Sequence, residues 1–209
     1  MSDEAKQGPA DDSVDAWPTV LEESFLENAE GWSFAATSKT PPLRHDTNGA
    51  VLTLPGGETS VAALWYDGRT FADLSLEVTV TVLAAQDPAQ SYVGVSFRAK
   101  SDRDNYRVFL DATGFYRLTR RQANQSTPLV DWTEHPAIAK GVGQENRLRI
   151  VAEGEKISVF CNDAELVSLT DDAFRDGHIA LQAQGGSPEV ESATVFCFKN
   201  LALSAPQSA

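Results

Sequence analysis

The chain has 209 residues, of which 42% are hydrophobic and 22% charged, and its formal net charge is −13. This composition supports one medium domain with a sizeable core and excludes wholesale disorder. So acidic a chain is repelled by nucleic acid and by anionic membranes, and no apolar run approaches the ~20 residues that span a bilayer.

Residues 1–18 read MSDEAKQGPADDSVDAWP. Asp3, Glu4, Asp11, Asp12 and Asp15 outnumber the lone Lys6, and a stretch so short of apolar area is expected to be a flexible acidic tail. It has neither the basic start nor the apolar core of a secretory leader. The chain as given is therefore expected to be cytoplasmic, or a fragment of an exported protein. One domain is expected over 19–204, followed by a short flexible tail at 205–209.

Inside that domain a period of two dominates. Residues 74–83, LSLEVTVTVL, set Leu74, Leu76, Val78, Val80 and Val82 against Ser75, Glu77, Thr79 and Thr81. The alternation predicts a strand with one buried face. The same pattern follows at 92–99 (YVGVSFRA), 105–112 (NYRVFLDA), 115–121 (FYRLTRR) and 146–153 (NRLRIVAE). It recurs at 157–163 (ISVFCND), 178–184 (HIALQAQ) and 194–203 (TVFCFKNLAL). DATG at 111–114, AEGE at 152–155 and CNDAE at 161–165 have the composition of hairpin turns. One short helical stretch is expected, DDAFRD at 171–176. Many short strands with regular turns predict an all-β sandwich of two antiparallel sheets.

Few residues suggest catalysis. Cys161 and Cys197 sit in apolar strands and read as small buried hydrophobes, or as one bridge if the chain is exported. Neither has the CxxC or HxH company that zinc needs. His45, His135 and His178 have no partner in the sequence, no G-x-S-x-G occurs, and they read as structural. Glycosidases need two carboxylates ~5–9.5 Å apart. Here Glu77 stands alone on its strand and Asp111 ends another, so no catalytic residue is expected.

The positive charge is concentrated instead. Residues 98–121 hold seven of the seventeen basic residues (Arg98, Lys100, Arg103, Arg107, Arg117, Arg120, Arg121) against three acids. If Val95, Phe97, Val108, Leu110, Tyr116 and Leu118 face the core, then Ser96, Arg98, Arg107, Phe109, Arg117 and Thr119 face out. On neighbouring strands Arg98, Arg107 and Arg117 would form a transverse row. Like charges so placed repel. Either Asp111, Glu77 or Asp131 neutralises them in a surface ladder, or they bind a ligand. A guanidinium fork suits carboxylate, phosphate or sugar hydroxyls, and Phe109, Trp65, Tyr66 and Trp132 would supply stacking faces from strands, loops or strand edges.

Three segments also carry a resemblance: GVSFRAKSDRDNYRVFLDATGFYRLTRR (94–121), ENRLRIVAEGEKISVFCNDAELVSLTDDAFRDGHIALQAQG (145–185) and VFCFKNLAL (195–203). Gly94, Phe97, Arg98, Asn105, Tyr106, Gly114, Tyr116, Leu118, Asn146, Leu148, Gly154, Asn162, Phe174, Gly177, Phe198 and Asn200 fall where the concanavalin A-like jelly-roll superfamily places its motif residues. The chain looks most like the bacterial 3-keto-disaccharide hydrolase domains and their laminin-G-like relatives, over about residues 20–203. It departs from them at Cys161, where valine is usual, and at Lys199, where the family has an acid. The resemblance implies a jelly-roll β-sandwich. It also raises a calcium site, for which Ser101, Asp102, Asp104 and Asn105 could supply oxygens, although the same residues make an ordinary polar turn. Together with the arginines it implies a non-catalytic, lectin-like module that binds an oligosaccharide around Arg98, Arg107, Phe109, Arg117, Trp65 and Trp132. The alternatives are a protein-interaction or structural accessory domain and a hydrolase of 3-keto-sugars.

Overall fold

The structure is a computed structural model that describes residues 14–27, 31–36, 43–186 and 188–207. Among these residues fifteen strands follow one another: β1 (Thr19–Glu23), β2 (Trp32–Ala36), β3 (Leu43–Asp46), β4 (Gly49–Leu54), β5 (Ser60–Tyr66), β6 (Leu74–Ala84), β7 (Tyr92–Ser101), β8 (Asp104–Asp111), β9 (Phe115–Gln122), β10 (Gln125–Glu134), β11 (Glu145–Glu153), β12 (Lys156–Cys161), β13 (Ala164–Thr170), β14 (His178–Gly185) and β15 (Thr194–Ser204). Among the described residues the only helical turns are 3-10, at Val14–Ala16 and Pro88–Gln90.

The strands form two antiparallel sheets. One runs β13-β12-β11-β6-β15-β4-β3, with β1 on the same flank of β15 as β4. The other runs β10-β9-β8-β7-β14-β5-β2. The core lies between them, where alternate residues of each strand meet: Val78, Val80, Leu148, Ile150 and Phe196 from the first sheet, Val95, Tyr106, Val108, Leu118 and Leu181 from the second. This is the expected all-β jelly-roll sandwich.

The expected strands form, and several unexpected ones join them. Strands β10 and β13 escaped notice because their alternation is weak, being edge strands with largely exposed residues. The β9–β10 turn has Ala123 and Asn124 both at positive φ, 48° and 69°. Such a primed hairpin usually advertises itself with glycine. Here the Ala123 N–H is instead held by Asp104 Oδ1 at 2.8 Å.

Residues 171–176 form no helix. The Asp171 carboxylate accepts from Tyr106 Oη (2.5 Å), Arg120 Nη1 (2.7 Å) and the N–H of Ala173 (3.1 Å). A side chain that captures the local backbone in this way competes with a helix. The expected tails lie outside the described residues at 1–13 and 208–209. Within them, Val14 is buried in its 3-10 turn, and the Ala205 N–H donates to Pro18 O at 3.2 Å. Cys161 and Cys197 are both buried free thiols, pushed up by burial to about 12 and about 11.

Arg98 is the main departure from the alternation. Its φ is 47°, and the β7–β8 register slips between Phe97 and Ser101. The bulge turns its side chain inward, where it is 0% exposed. Its Nε donates to Ala72 O at 2.7 Å, Nη1 to Gly154 O at 2.8 Å and to Phe174 O at 3.4 Å, and Nη2 to Asp73 Oδ1 at 3.3 Å. Asp73 Oδ1 also accepts the Gly154 N–H at 2.8 Å. One guanidinium thus ties the start of β6, the β11–β12 turn and the 171–176 loop together. Gly177 is required beside it, since a Cβ there would lie 2.4 Å from the carbonyl carbon of Arg98.

Two outcomes follow from these buried groups. Arg98→Met strands Asp73 and three carbonyls, so urea unfolding should show a loss of about 3–5 kcal/mol; a loss under about 1 kcal/mol would contradict the clamp. Burial and the hydrogen bond to Asp171 push the Tyr106 hydroxyl from its ordinary 10.0 to about 12. Because the folded value is raised, the neutral phenol stabilises the fold fully below pH ~10, and that contribution is lost as pH rises toward ~12. The stability gap between wild type and Tyr106→Phe should therefore shrink over that interval.

Candidate functional site

The outer face of the seven-stranded sheet carries the residues that the sequence singled out. Its register sets three cross-strand rows. Trp65, Ala180, Ser96, Arg107 and Thr119 are opposite one another in sequence of strands; so are Ala63, Gln182, Gly94, Phe109 and Arg117; so are Val61, Gln184, Tyr92 and Asp111. The expected row of three arginines does not form. Arg98 has left the face through its bulge, and Arg107 faces Thr119 while Arg117 faces Phe109.

Arg107 is also not an open site. It is 8% exposed, with Nε donating to Asn105 Oδ1 at 2.8 Å and Nη2 to Asp102 O at 2.6 Å, so it braces the β7–β8 turn. Burial first, then the nearby Arg121, lowers it to about 10, which leaves it charged at neutral pH. Phe109, expected as a stacking face, is 7% exposed and lies 6.2 Å from the Tyr92 ring. Tyr66 packs with Trp32 and Phe71. Trp65 is half-buried and lies within β5, not in a loop.

Three residues are brought together. Trp132, on edge strand β10, lies 4.7 Å from the Tyr92 ring with 30° between the planes. The Arg117 guanidinium stands 6.0 Å from the Trp132 ring, and its Nε is 3.5 Å from Asp131 Oδ1. Of the three acids expected to neutralise the arginines, only Asp131 does so. Asp111 Oδ1 accepts the N–H groups of Thr113 and Phe115 and the Thr113 hydroxyl, and Glu77 pairs with Arg147 on the other sheet. Tyr92 is not among the residues that the sequence singles out. Its hydroxyl donates to Gln90 Oε1 at 2.8 Å, and burial, followed by Asp111 and Asp87, raises its pKa.

The middle of this face is made of small residues: Gly94, Ser96, Ala63 and Ala180. A Cβ on Gly94 would lie 1.8 Å from Val108 O, so only glycine fits there. Ser96 (0%) and Gln182 (2%) are buried although they face away from the core, and neither Ser96 Oγ nor Gln182 Oε1 has a hydrogen-bond partner. His178 Nδ1 and Arg117 Nε, on the same face, are likewise buried without a hydrogen bond. The other two histidines hold turns: His45 Nδ1 meets Phe25 O, and His135 Nδ1 accepts the Ala137 N–H.

The stretch Ser101–Asn105, raised as a calcium site, is knitted into its turn. Ser101 Oγ donates to Asp104 Oδ2, Asn105 Nδ2 donates to Ser101 O, and Asp104 Oδ1 accepts from Ala123. Among the described residues no three acidic, histidine or cysteine side chains converge as metal ligands would.

A family model described as a 3-keto-alpha-glucoside-1,2-lyase-like domain matches residues 21–204. No curated protein matches the sequence. Solved structures share the fold. The carbohydrate-binding module CBM66 from Bacillus subtilis is 15% identical, with a TM-score of 0.65 over 87% of this chain and 99% of that one. Crh5 transglycosylase in complex with NAG is 13% identical, with a TM-score of 0.66 over 88% of this chain and 83% of that one. The exoplasmic/lumenal domain of VIP36, bound to Ca2+ and Man3GlcNAc, is 11% identical, with a TM-score of 0.61 over 89% and 88%. Sugar-binding and sugar-processing proteins thus share this architecture, and at such identities the likeness is one of fold.

The two remaining arginines should separate in unfolding experiments. Arg117→Gln removes a solvent-facing pair and should cost under about 1 kcal/mol. Arg107→Gln removes two buried charge-assisted bonds and should cost about 1.5–3 kcal/mol; equal costs would contradict the assignment of Arg107 as a brace.

Proposed function

Since the chain belongs to the 3-keto-alpha-glucoside-1,2-lyase-like domain family, we propose that it is a non-catalytic carbohydrate-binding module whose outer seven-stranded face takes an oligosaccharide. The Tyr92–Trp132 pair with Arg117 beside it carries this reading. Aromatic rings accept the apolar CH face of a sugar, while a guanidinium donates in a fixed fork to its oxygens. Trp65 stands three strands away from Phe109's strand and offers a second ring on the far side of the small-residue floor. The non-catalytic part rests on the carboxylates. On this face Asp111 serves its turn, Asp131 pairs with Arg117 and Glu134 pairs with Lys140.

A second reading, turnover of a 3-keto-α-glucoside, is favoured by the family description and by His178 on this face, whose buried Nδ1 has no hydrogen-bond partner.

A glycan array followed by NMR titration tests the first reading. Binding of α- or β-linked gluco-oligosaccharides is expected, weakened about tenfold by Trp132→Ala or Tyr92→Ala, which corresponds to about 1.4 kcal/mol. An array without a hit would sink it. Incubation with 3-keto-α-glucosides tests the second: appearance of cleaved product that is lost in His178→Ala would replace the non-catalytic reading.

A further inference from the structure

Acids outnumber bases in this chain by 30 to 17, so an arginine has every chance of a partner. Among the described residues Arg44, Arg98, Arg117, Arg120, Arg147 and Arg175 each stand in an ion pair. Arg103, Arg107 and Arg121 do not, and these three meet at one corner of the seven-stranded sheet.

Two hairpin tips build that corner. The Asn124 N–H donates to Arg103 O at 3.3 Å and the Ala123 N–H to Asp104 Oδ1 at 2.8 Å, which ties the β9–β10 tip to the β7–β8 tip. Arg103 is exposed on one tip. Arg121, half-buried, closes the other and donates to Asn124 Oδ1. Arg121 stands opposite Asn105, and Arg107 opposite Thr119. The two arginines are therefore diagonal neighbours on the outer face, about 7–8 Å apart at the backbone. The acids of the corner leave them unmatched. Asp104 accepts from Ser101 Oγ and the Ala123 N–H, and Asp102 gives Arg107 its backbone carbonyl while its carboxylate pairs with none of the three.

Arg107 makes the imbalance costly. It is 8% exposed, and its hydrogen-bond partners, Asn105 Oδ1 and Asp102 O, are both neutral. A buried cation without an opposite charge destabilises the fold that holds it. Arg98, more deeply buried, has Asp73. Arg107 has Arg121 instead, a like charge that adds to burial in lowering its pKa.

We propose that this corner is an oxyanion site, in which the solvent-facing Arg103 and Arg121 grip a phosphate, sulfate or carboxylate group and Arg107 beneath them contributes its charge without touching the ligand. Each guanidinium presents a fork that matches two such oxygens, and the bound charge offsets the repulsion between Arg107 and Arg121. The site goes beyond the sugar reading and does not need its rings: Arg121 lies four residues along β9 from Arg117, about 13 Å at the rise of a strand. The oxyanion can be free or carried on a larger molecule such as an acidic oligosaccharide.

The test is an NMR titration of the full chain, with thermal unfolding alongside, using inorganic phosphate and separately trigalacturonate at an ionic strength held constant with sodium chloride. Saturable shifts are expected at the backbone amides of Arg103 and Asn124, with a Tm that rises as phosphate is added. Arg103→Gln and Arg121→Gln should each bind about tenfold more weakly. Without ligand, Arg121→Gln should unfold no earlier than the wild type, because it removes a like charge beside Arg107. Phosphate that binds as well as trigalacturonate supports a free ion as the ligand; trigalacturonate that binds at far lower concentration supports one carried on a sugar. Shifts that do not saturate, or variants that respond as the wild type does, would overturn the site. Trp132→Ala should leave phosphate binding intact, and its loss there would overturn the separation from the rings. A glycan array without a hit would sink the sugar reading and leave this site standing.

Discussion

A single left-handed residue in β7 governs the rest of this molecule. Had Arg98 kept the extended φ of its neighbours, its guanidinium would have pointed outward beside Ser96. With φ at 47° it enters the interior and gathers backbone carbonyls from three separate segments. Burial lowers its pKa and Asp73 counteracts that, so the charge survives because the site is rich in oxygen. A buried cation held this way is costly to disrupt and geometrically demanding. It fixes the loop at 171–176, which Tyr106 and Arg120 pin from the other side through Asp171.

Removing Arg98 from the outer face changes what that face is. It loses one end of the expected arginine row and keeps glycine, alanine and serine at its middle. Arg107 is drawn toward its own turn and Arg117 toward Trp132 and Asp131. The three arginines expected in one row therefore serve three separate ends: a core clamp, a turn brace and a partner for an edge indole. Like-charge repulsion is avoided because no two of these arginines face each other across the sheet.

The face that results divides into a margin and a middle. Its rings stand at the margin, with Tyr92 and Trp132 in contact and Trp65 opposite. Ser96 and Gln182, between those rings, are buried. The chain belongs to a family described as 3-keto-alpha-glucoside-1,2-lyase-like, and it shares its fold with a carbohydrate-binding module and a transglycosylase.

Alternation alone was enough to place eight strands, their inward residues and the sandwich, because period two is imposed by the pleat and needs no partner to be visible. The edge strands β10 and β13 were hidden because exposure erases the apolar half of the pattern. Trp132 and Arg117 could be named from sequence as candidates, but Tyr92 could not be paired with them, since 40 residues separate Tyr92 from Trp132. Arg98 was misplaced for a related reason. A bulge inserts one residue and reverses the side of the sheet, and nothing in the letters SFRAKS announces it. The sequence by itself thus determined the fold class and the chemistry available to it. Only the tertiary structure decided which arginine is core, which is brace and which is surface, because register, bulges and cross-strand neighbours are properties of paired strands and not of any one of them.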